Sequence, residues 1–173
     1  MTAWLDIKRS QSARVRELDA WWRKNALDRP LPDRADLDPA AIPLLLPYIL
    51  ISEVERPFRV RYRLVGTEVV HVTGLNFTGH YLDQLIPPGE EESWLAHYRH
   101  CFETAQPVYG LSTVKTLVGG SFSYEYGIWP LTKGGPEVSQ FIALEDYGPH
   151  RARSRELLDQ AKLWRRADPS PAD

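Results

Sequence analysis

Three strand-like runs follow one another with no helix between them: VYGLSTVKTLV (108–118), SFSYEYGIWPL (121–131) and EVSQFIALED (137–146). They are joined by GG at 119–120 and KGGP at 133–136, both suited to hairpin turns. Joints that short favour antiparallel neighbours, because a parallel crossover needs a dozen or more residues. The middle run places Phe122, Tyr124, Tyr126 and Ile128 on one face. Any fold for this chain must therefore accommodate an antiparallel sheet carrying an aromatic face.

The upstream residues extend that sheet. YILISEV (48–54) is rich in strand formers, and in FRVRYRLV (58–65) Phe58, Val60, Tyr62 and Leu64 alternate with Arg59, Arg61 and Arg63. Pro57 marks the turn of a hairpin between them. Segment 66–88 is punctuated by glycines and has no sustained period, whereas EEESWLAHYRHCFETA (90–105) reads as a helix with Trp94, Tyr98, Cys101, Phe102 and Ala105 on one stripe. Before the sheet, a helical pattern from about Trp4 to Leu27 carries Val15, Leu18, Trp22 and Ala26, with Ser10 or Ser12 able to cap or interrupt it. Pro30 and Pro32 end that helix, and Asp38 before Pro39 starts a short helical segment. After the sheet, RARSRELLDQAKLWRR (151–166) reads as a polar helix, followed by a tail expected to be disordered. The predicted class is α+β: a five-stranded antiparallel sheet with helices on one face, plus N- and C-terminal flanking helices. The corresponding divisions are 1–29, 30–147 and 148–173.

Composition narrows the partners. In 173 residues, 43% are hydrophobic and 25% charged, and the net charge of −2 implies no general pull toward nucleic acid or anionic membrane. Cys101, the only cysteine, excludes an intramolecular disulfide framework. The start of the chain lacks the order of a signal peptide, and IPLLLPYILI (42–51) is too short to span a bilayer. A soluble cytoplasmic protein is expected, with neither nucleic acid nor membrane as partner.

Catalytic motifs are incomplete. Gly74 and Gly79 match a G-x-x-x-x-G spacing, but His80 and Tyr81 follow where a phosphate-binding loop needs Lys and Ser or Thr. His97, His100 and Cys101 sit on one helix, which supplies at most two ligands to a metal, and no second cluster completes a site. GGSFS (119–123) lacks the last glycine of a nucleophile elbow. Glu145 and Asp146 are adjacent and point to opposite faces of a strand. The arginine face of 58–65 must be solvated or covered by acidic groups, and nucleic-acid binding through it would be steeply salt-dependent. The aromatic face and the 90–105 helix enclose either a simple core or a small-molecule cavity whose phenol and indole groups could meet a ligand.

The order of two strands, short helices, a longer helix and three strands resembles PAS domains. GHYLDQLIPP (79–88) is similar to the G-x-x-L-x-x-L-I-x-P passage before the long helix there, and AQPV (105–108) to the turn that leaves it. LPDRADLDP (31–39), IPLLLPYILISEVE (42–55), YRLVGTEV (62–69) and GLNFTGHYLDQL (74–85) together resemble a bacterial subfamily of short, mostly stand-alone PAS proteins common in alphaproteobacteria. The resemblance implies a non-enzymatic sensory or regulatory module that binds a small molecule or protein partner and signals through its flanking helices. Pocket candidates are His71, Phe77, Leu82, Trp94, Tyr98, Phe102, Tyr124, Tyr126 and Ile142, with Arg63, Gly66, Thr67, Gly74 and Gly79 as motif and backbone positions. Its cofactor is left unknown: Cys101 lies outside any flavin-type reactive motif, and haem would have to hang from His97 or, second, His71. Both cofactors are therefore disfavoured. A homodimer through Trp21 and Trp22 of the first helix and a separate effector protein are the expected partners. The alternative is a small α+β enzyme acting on an apolar substrate, which would need Glu125 or Asp83 beside His71 or His97.

Overall fold

The computed structural model describes residues 2–86, 91–115 and 121–148. In chain order the elements are β1 (Thr2–Trp4), α1 (Ala13–Asn25), β2 (Ile49–Glu55), β3 (Arg59–Val65), α2 (Thr67–Thr73), α3 (Glu91–Thr104), β4 (Val108–Lys115), β5 (Ser121–Leu131) and β6 (Gln140–Asp146). Five short 3₁₀ turns link them. The proposed C-terminal helix and tail lie outside the described residues. The class is α+β, and the strands form one antiparallel sheet in the order β1-β4-β5-β6-β2-β3.

That sheet has six strands and not five. Thr2 to Trp4 pair with Leu111 to Tyr109 along the free edge of β4, so Trp4 belongs to a strand and the first helix starts later. Ser12 sets its start: its Oγ accepts from Val15 N at 3.0 Å and donates to Asp146 Oδ2 at 2.6 Å. Ser12→Ala removes both bonds, and we expect a loss of about 1–2 kcal/mol, read from the urea midpoint at constant m-value.

Helices also cover both faces of the sheet, not one. On the inner face, α2 and α3 pack with Leu50, Val60, Tyr62, Tyr124, Tyr126, Phe141 and Ala143. On the outer face, Val15, Leu18 and Trp22 of α1 pack with Ile49, Ile51, Tyr109, Trp129, Ile142 and Leu144. The linker follows α1 onto this layer, burying Leu31, Leu37, Ile42 and Leu45. The reason lies in the strands: Phe141 through Leu144 are buried in succession, as are Ile49 through Ser52, which is the pattern of strands buried on both faces. The apolar stripe of α1 is thus occupied by the chain's own sheet. Trp22 is 5% exposed, with its indole Nε1 donating to the Pro130 carbonyl at 2.8 Å.

The β2–β3 register shifts between Ile51 and Ser52, leaving Arg63 as an extra residue opposite them. Such a bulge breaks the alternation. Val60 and Tyr62 remain in the inner layer, but Leu64 turns outward and is 43% exposed. The three arginines of β3 are covered by acids: Arg59 forks onto Asp83 at 2.9 and 3.2 Å, Arg61 lies 3.5 Å from Glu55, and Arg63 bonds Glu53.

Candidate functional site

The inner layer contains more hydroxyl and carboxyl groups than a plain core needs. Alternation along β5 turns Tyr124 and Tyr126 inward, and β3 adds Tyr62. From α3 come Trp94, His97, Tyr98 and Cys101, spaced one helical turn apart. At the end of β6, Glu145 and then Tyr147 point into the same layer, two residues apart. Rings meet at centroid distances of 4.7 Å (Tyr62–Phe77), 4.9 Å (Trp94–Tyr126), 5.1 Å (Tyr98–Phe141) and 5.2 Å (Tyr124–Tyr147). These are tilted or edge-on geometries that aromatic pairs prefer.

Burial dominates the electrostatics. It raises the phenols of Tyr62, Tyr98, Tyr124, Tyr126 and Tyr147 above their ordinary values, keeping all five neutral donors. The Cys101 thiol, wholly buried and directed at the Ile128 carbonyl, is pushed up to about 12 and is no nucleophile. His97 is held below its usual value, chiefly by burial and secondarily by His100, while its Nδ1 meets the Tyr126 hydroxyl at 3.1 Å. Glu145 is the exceptional carboxyl: burial pushes it up to about 7, although the hydroxyl of Tyr147 donates to it.

The consequence for stability has a definite sign. Unfolded, Glu145 loses its proton near 4.5, whereas the folded protein holds it to about 7. Stability from this group is complete below pH 4.5, declines as pH rises to about 7 and is flat above that. The full decline is no more than about 3 kcal/mol. We expect Glu145→Gln to remove this slope from urea unfolding measured between the two limits; an unchanged slope would assign it to another group.

Several expected pocket residues converge on this layer. Phe77, Leu82, Tyr98, Tyr124 and Tyr126 are buried in it, and Trp94 packs at its margin. Phe102 sits at the rim, 38% exposed and 5.3 Å from the Phe58 ring. Two expectations are corrected. His71 is exposed on α2 and lines no interior. Ile142 faces the outer layer, because Phe141 and Ala143 take the inward positions of β6. Among the motif positions, Arg63 is the bulged residue, Gly66 caps α2 and Thr67 begins it. Gly74 ends α2 at φ 70° and Gly79 turns at φ 90°, conformations in which a Cβ is disfavoured. Those two glycines serve the backbone.

Tyr62, Glu145 and Tyr147 were missed as site residues, although the two-residue spacing of Glu145 and Tyr147 carried the signal. The acid–base pairs of the enzyme alternative are not assembled. Glu125 faces outward and accepts from the Ser10 hydroxyl at 2.6 Å and the Gln11 amide at 3.0 Å, and Asp83 is paired with Arg59. Among the described residues, no three His, Cys, Asp or Glu side chains group as metal ligands, and no helix is long and apolar enough to cross a membrane.

An antiparallel sheet with short helices and one longer helix over an aromatic inner face is the α+β architecture of a PAS-like domain. The sequence model of the PAS domain family matches residues 10–144, well over half of the chain, and the protein belongs to that family. Among solved structures, it is similar to a light-oxygen-voltage domain studied with a flavin analogue (TM-score 0.50, 14% identity, covering 72% of this chain and 93% of that one). It is also similar to the dark-state light-oxygen-voltage domain of the photoreceptor Aureochrome1 (TM-score 0.49, 10% identity, 72% and 91% covered). With an RNA-binding light-oxygen-voltage receptor the values are 0.47 and 18%; the match covers 79% of this chain but only 41% of the receptor's length. No curated protein matches the chain.

Proposed function

We propose that the chain is a non-enzymatic sensory module whose inner polar layer takes up a small molecule and whose output is the docking of α1 on the outer face. One observation carries this reading. On the paired strands β5 and β6, Tyr126 lies opposite Glu145 and Glu125 opposite Asp146. The first pair belongs to the inner layer. The second holds the start of α1: Glu125 through Ser10 and Gln11, and Asp146 through Ser12 and through Arg14 at 2.9 Å. Each inner polar residue is therefore the chain neighbour of one that clasps the helix. A ligand that binds the two states of this unit with different affinities shifts the population of docked α1.

Undocking would release the stripe of Val15, Leu18 and Trp22, a surface suited to a separate effector protein or a second copy of the chain. The test is amide hydrogen exchange of residues 13–25 in the wild type and in Tyr147→Phe, which removes the donor to Glu145. Faster exchange confined to α1 is expected. Exchange unchanged in α1, with the inner layer demonstrably altered, would remove the reading. Native mass spectrometry supplies the ligand arm, where a stoichiometric extra mass is expected. A strictly monomeric species in light scattering, with α1 undocked, would eliminate the second copy as partner.

A further inference from the structure

Tyr126 reaches across β4 toward α3. Its ring lies over Gly110, its register partner on β4, where a Cβ would sit 2.3 Å from the Tyr126 hydroxyl oxygen. With that position bare, the hydroxyl meets His97 Nδ1 at 3.1 Å. Tyr126 is 2% exposed, so its hydroxyl proton needs an acceptor, and among the described residues His97 Nδ1 is the one in reach. The phenol therefore donates, and the imidazole carries its own hydrogen on Nε2. Burial favours the neutral form of both partners. The result is a neutral phenol in contact with a free base. Trp94, one turn before His97, completes the cluster. Its ring is 4.9 Å from that of Tyr126 and 6.0 Å from that of His97, and it is partly exposed at the margin of the layer.

We infer that Tyr126 is a redox-active tyrosine, oxidised by one electron through Trp94 while its phenolic proton passes to His97 Nδ1. The oxidant is a small oxidising radical that meets the exposed edge of Trp94. It takes one electron from the indole and leaves as the reduced anion. The indole radical cation then takes one electron from the Tyr126 ring, 4.9 Å away, and returns to its closed-shell form. Electron loss alone would leave a positive charge in a buried ring, which is costly. Transfer of the proton across the 3.1 Å hydrogen bond removes that charge. The products are a neutral phenoxyl radical on Tyr126 and an imidazolium on His97, whose charge balances the anion in solution. Two other buried phenols have acceptors, Tyr109 on Asp19 and Tyr147 on Glu145. The Trp129 indole beside Tyr109 is fully buried, and Tyr147 stands behind Tyr126 and Tyr124 in the run of rings from Trp94. This chemistry does not rest on ligand uptake or on the docking of α1.

The test is pulse radiolysis of the full chain with azidyl radicals, which oxidise indoles ahead of neutral phenols. An indole radical is expected to decay as a tyrosyl radical grows, at a rate independent of protein concentration and slower in heavy water. Tyr126→Phe, which keeps the ring, should remove the fast-growing tyrosyl signal, and Trp94→Phe should deplete it. His97→Gln keeps an acceptor for the hydroxyl but supplies no base, and should slow the growth by at least about tenfold. A signal unchanged in Tyr126→Phe would overturn the inference, as would one lost in Tyr109→Phe or Tyr147→Phe. Growth equally fast in His97→Gln, or growth that scales with protein concentration, would overturn it too. If Trp94→Phe does not fold, the Tyr126 and His97 variants still decide.

Discussion

Asp19→Ala is expected to destabilise the protein by about 3–5 kcal/mol, the range for removing one partner from a buried charged network. Asp19 sits on the buried stripe of α1, 4% exposed. Its Oδ1 accepts from the Tyr109 hydroxyl and from the Trp129 indole, the latter at 3.0 Å, and its Oδ2 accepts from Arg23 at 2.7 Å. Tyr109 and Trp129 are both fully buried, so the substitution strands two donors where no water reaches them. Asp19→Asn keeps an acceptor and should cost about 1–2 kcal/mol. Arg23→Ala should cost less than about 1 kcal/mol, because the arginine side of the pair is largely solvated. Urea unfolding of the three variants checks the order. An Asp19→Ala loss no larger than that of Arg23→Ala would show that the buried Asp19 network adds nothing to the docking of α1.

Gly66→Ala should cost about 3 kcal/mol or more, at the upper end of overpacking effects. A Cβ at this position would lie 2.3 Å from the Pro47 carbonyl oxygen, 2.6 Å from its carbon and 2.9 Å from the Ile49 oxygen. All three are backbone atoms, so no side chain can swing aside. Moving them would also disturb the Gly66 N to Ile49 O hydrogen bond of 2.8 Å, which joins the start of α2 to β2. By contrast, Gly134→Ala meets nothing within 4 Å and suffers only from its φ of 70°, a cost of about 1–2 kcal/mol. Thermal unfolding of both variants separates the two causes. A Gly66→Ala midpoint no lower than that of Gly134→Ala would mean that the Pro47 turn yields.

These two positions show unequal legibility. Gly66 stood in a recognisable stretch, YRLVGTEV, so its importance was readable although its neighbours Pro47 and Ile49 were not. Asp19 carried a plainer signal: it shares a stripe with Val15, Leu18 and Trp22, and a carboxylate on an apolar stripe must find donors. Its donors come from Tyr109 and Trp129, far along the chain, and no local period reveals such partners. The inner aromatic face was legible from the alternation of Tyr124, Tyr126 and Ile128. Ile142 was misplaced because FIAL is apolar at every position, and a run without alternation does not say which residues face which layer. Leu64 was misplaced for a different reason: the bulge at Arg63 is a property of strand pairing, invisible in one strand alone.

The sequence by itself determined the antiparallel α+β architecture, the order of elements from β2 to β6 and the backbone roles of Gly74 and Gly79, because period, turn composition and left-handed φ are local properties. Tertiary structure alone decided that a sixth strand closes the β4 edge and that α1 covers the outer face. It also decided the partners of Glu145 and Asp146, whose opposite facing follows from strand alternation: Tyr147 for the first and Ser12 for the second. Those outcomes depend on which surfaces meet, and two apolar faces of one sheet offer a helix the same attraction until the rest of the chain has taken one of them.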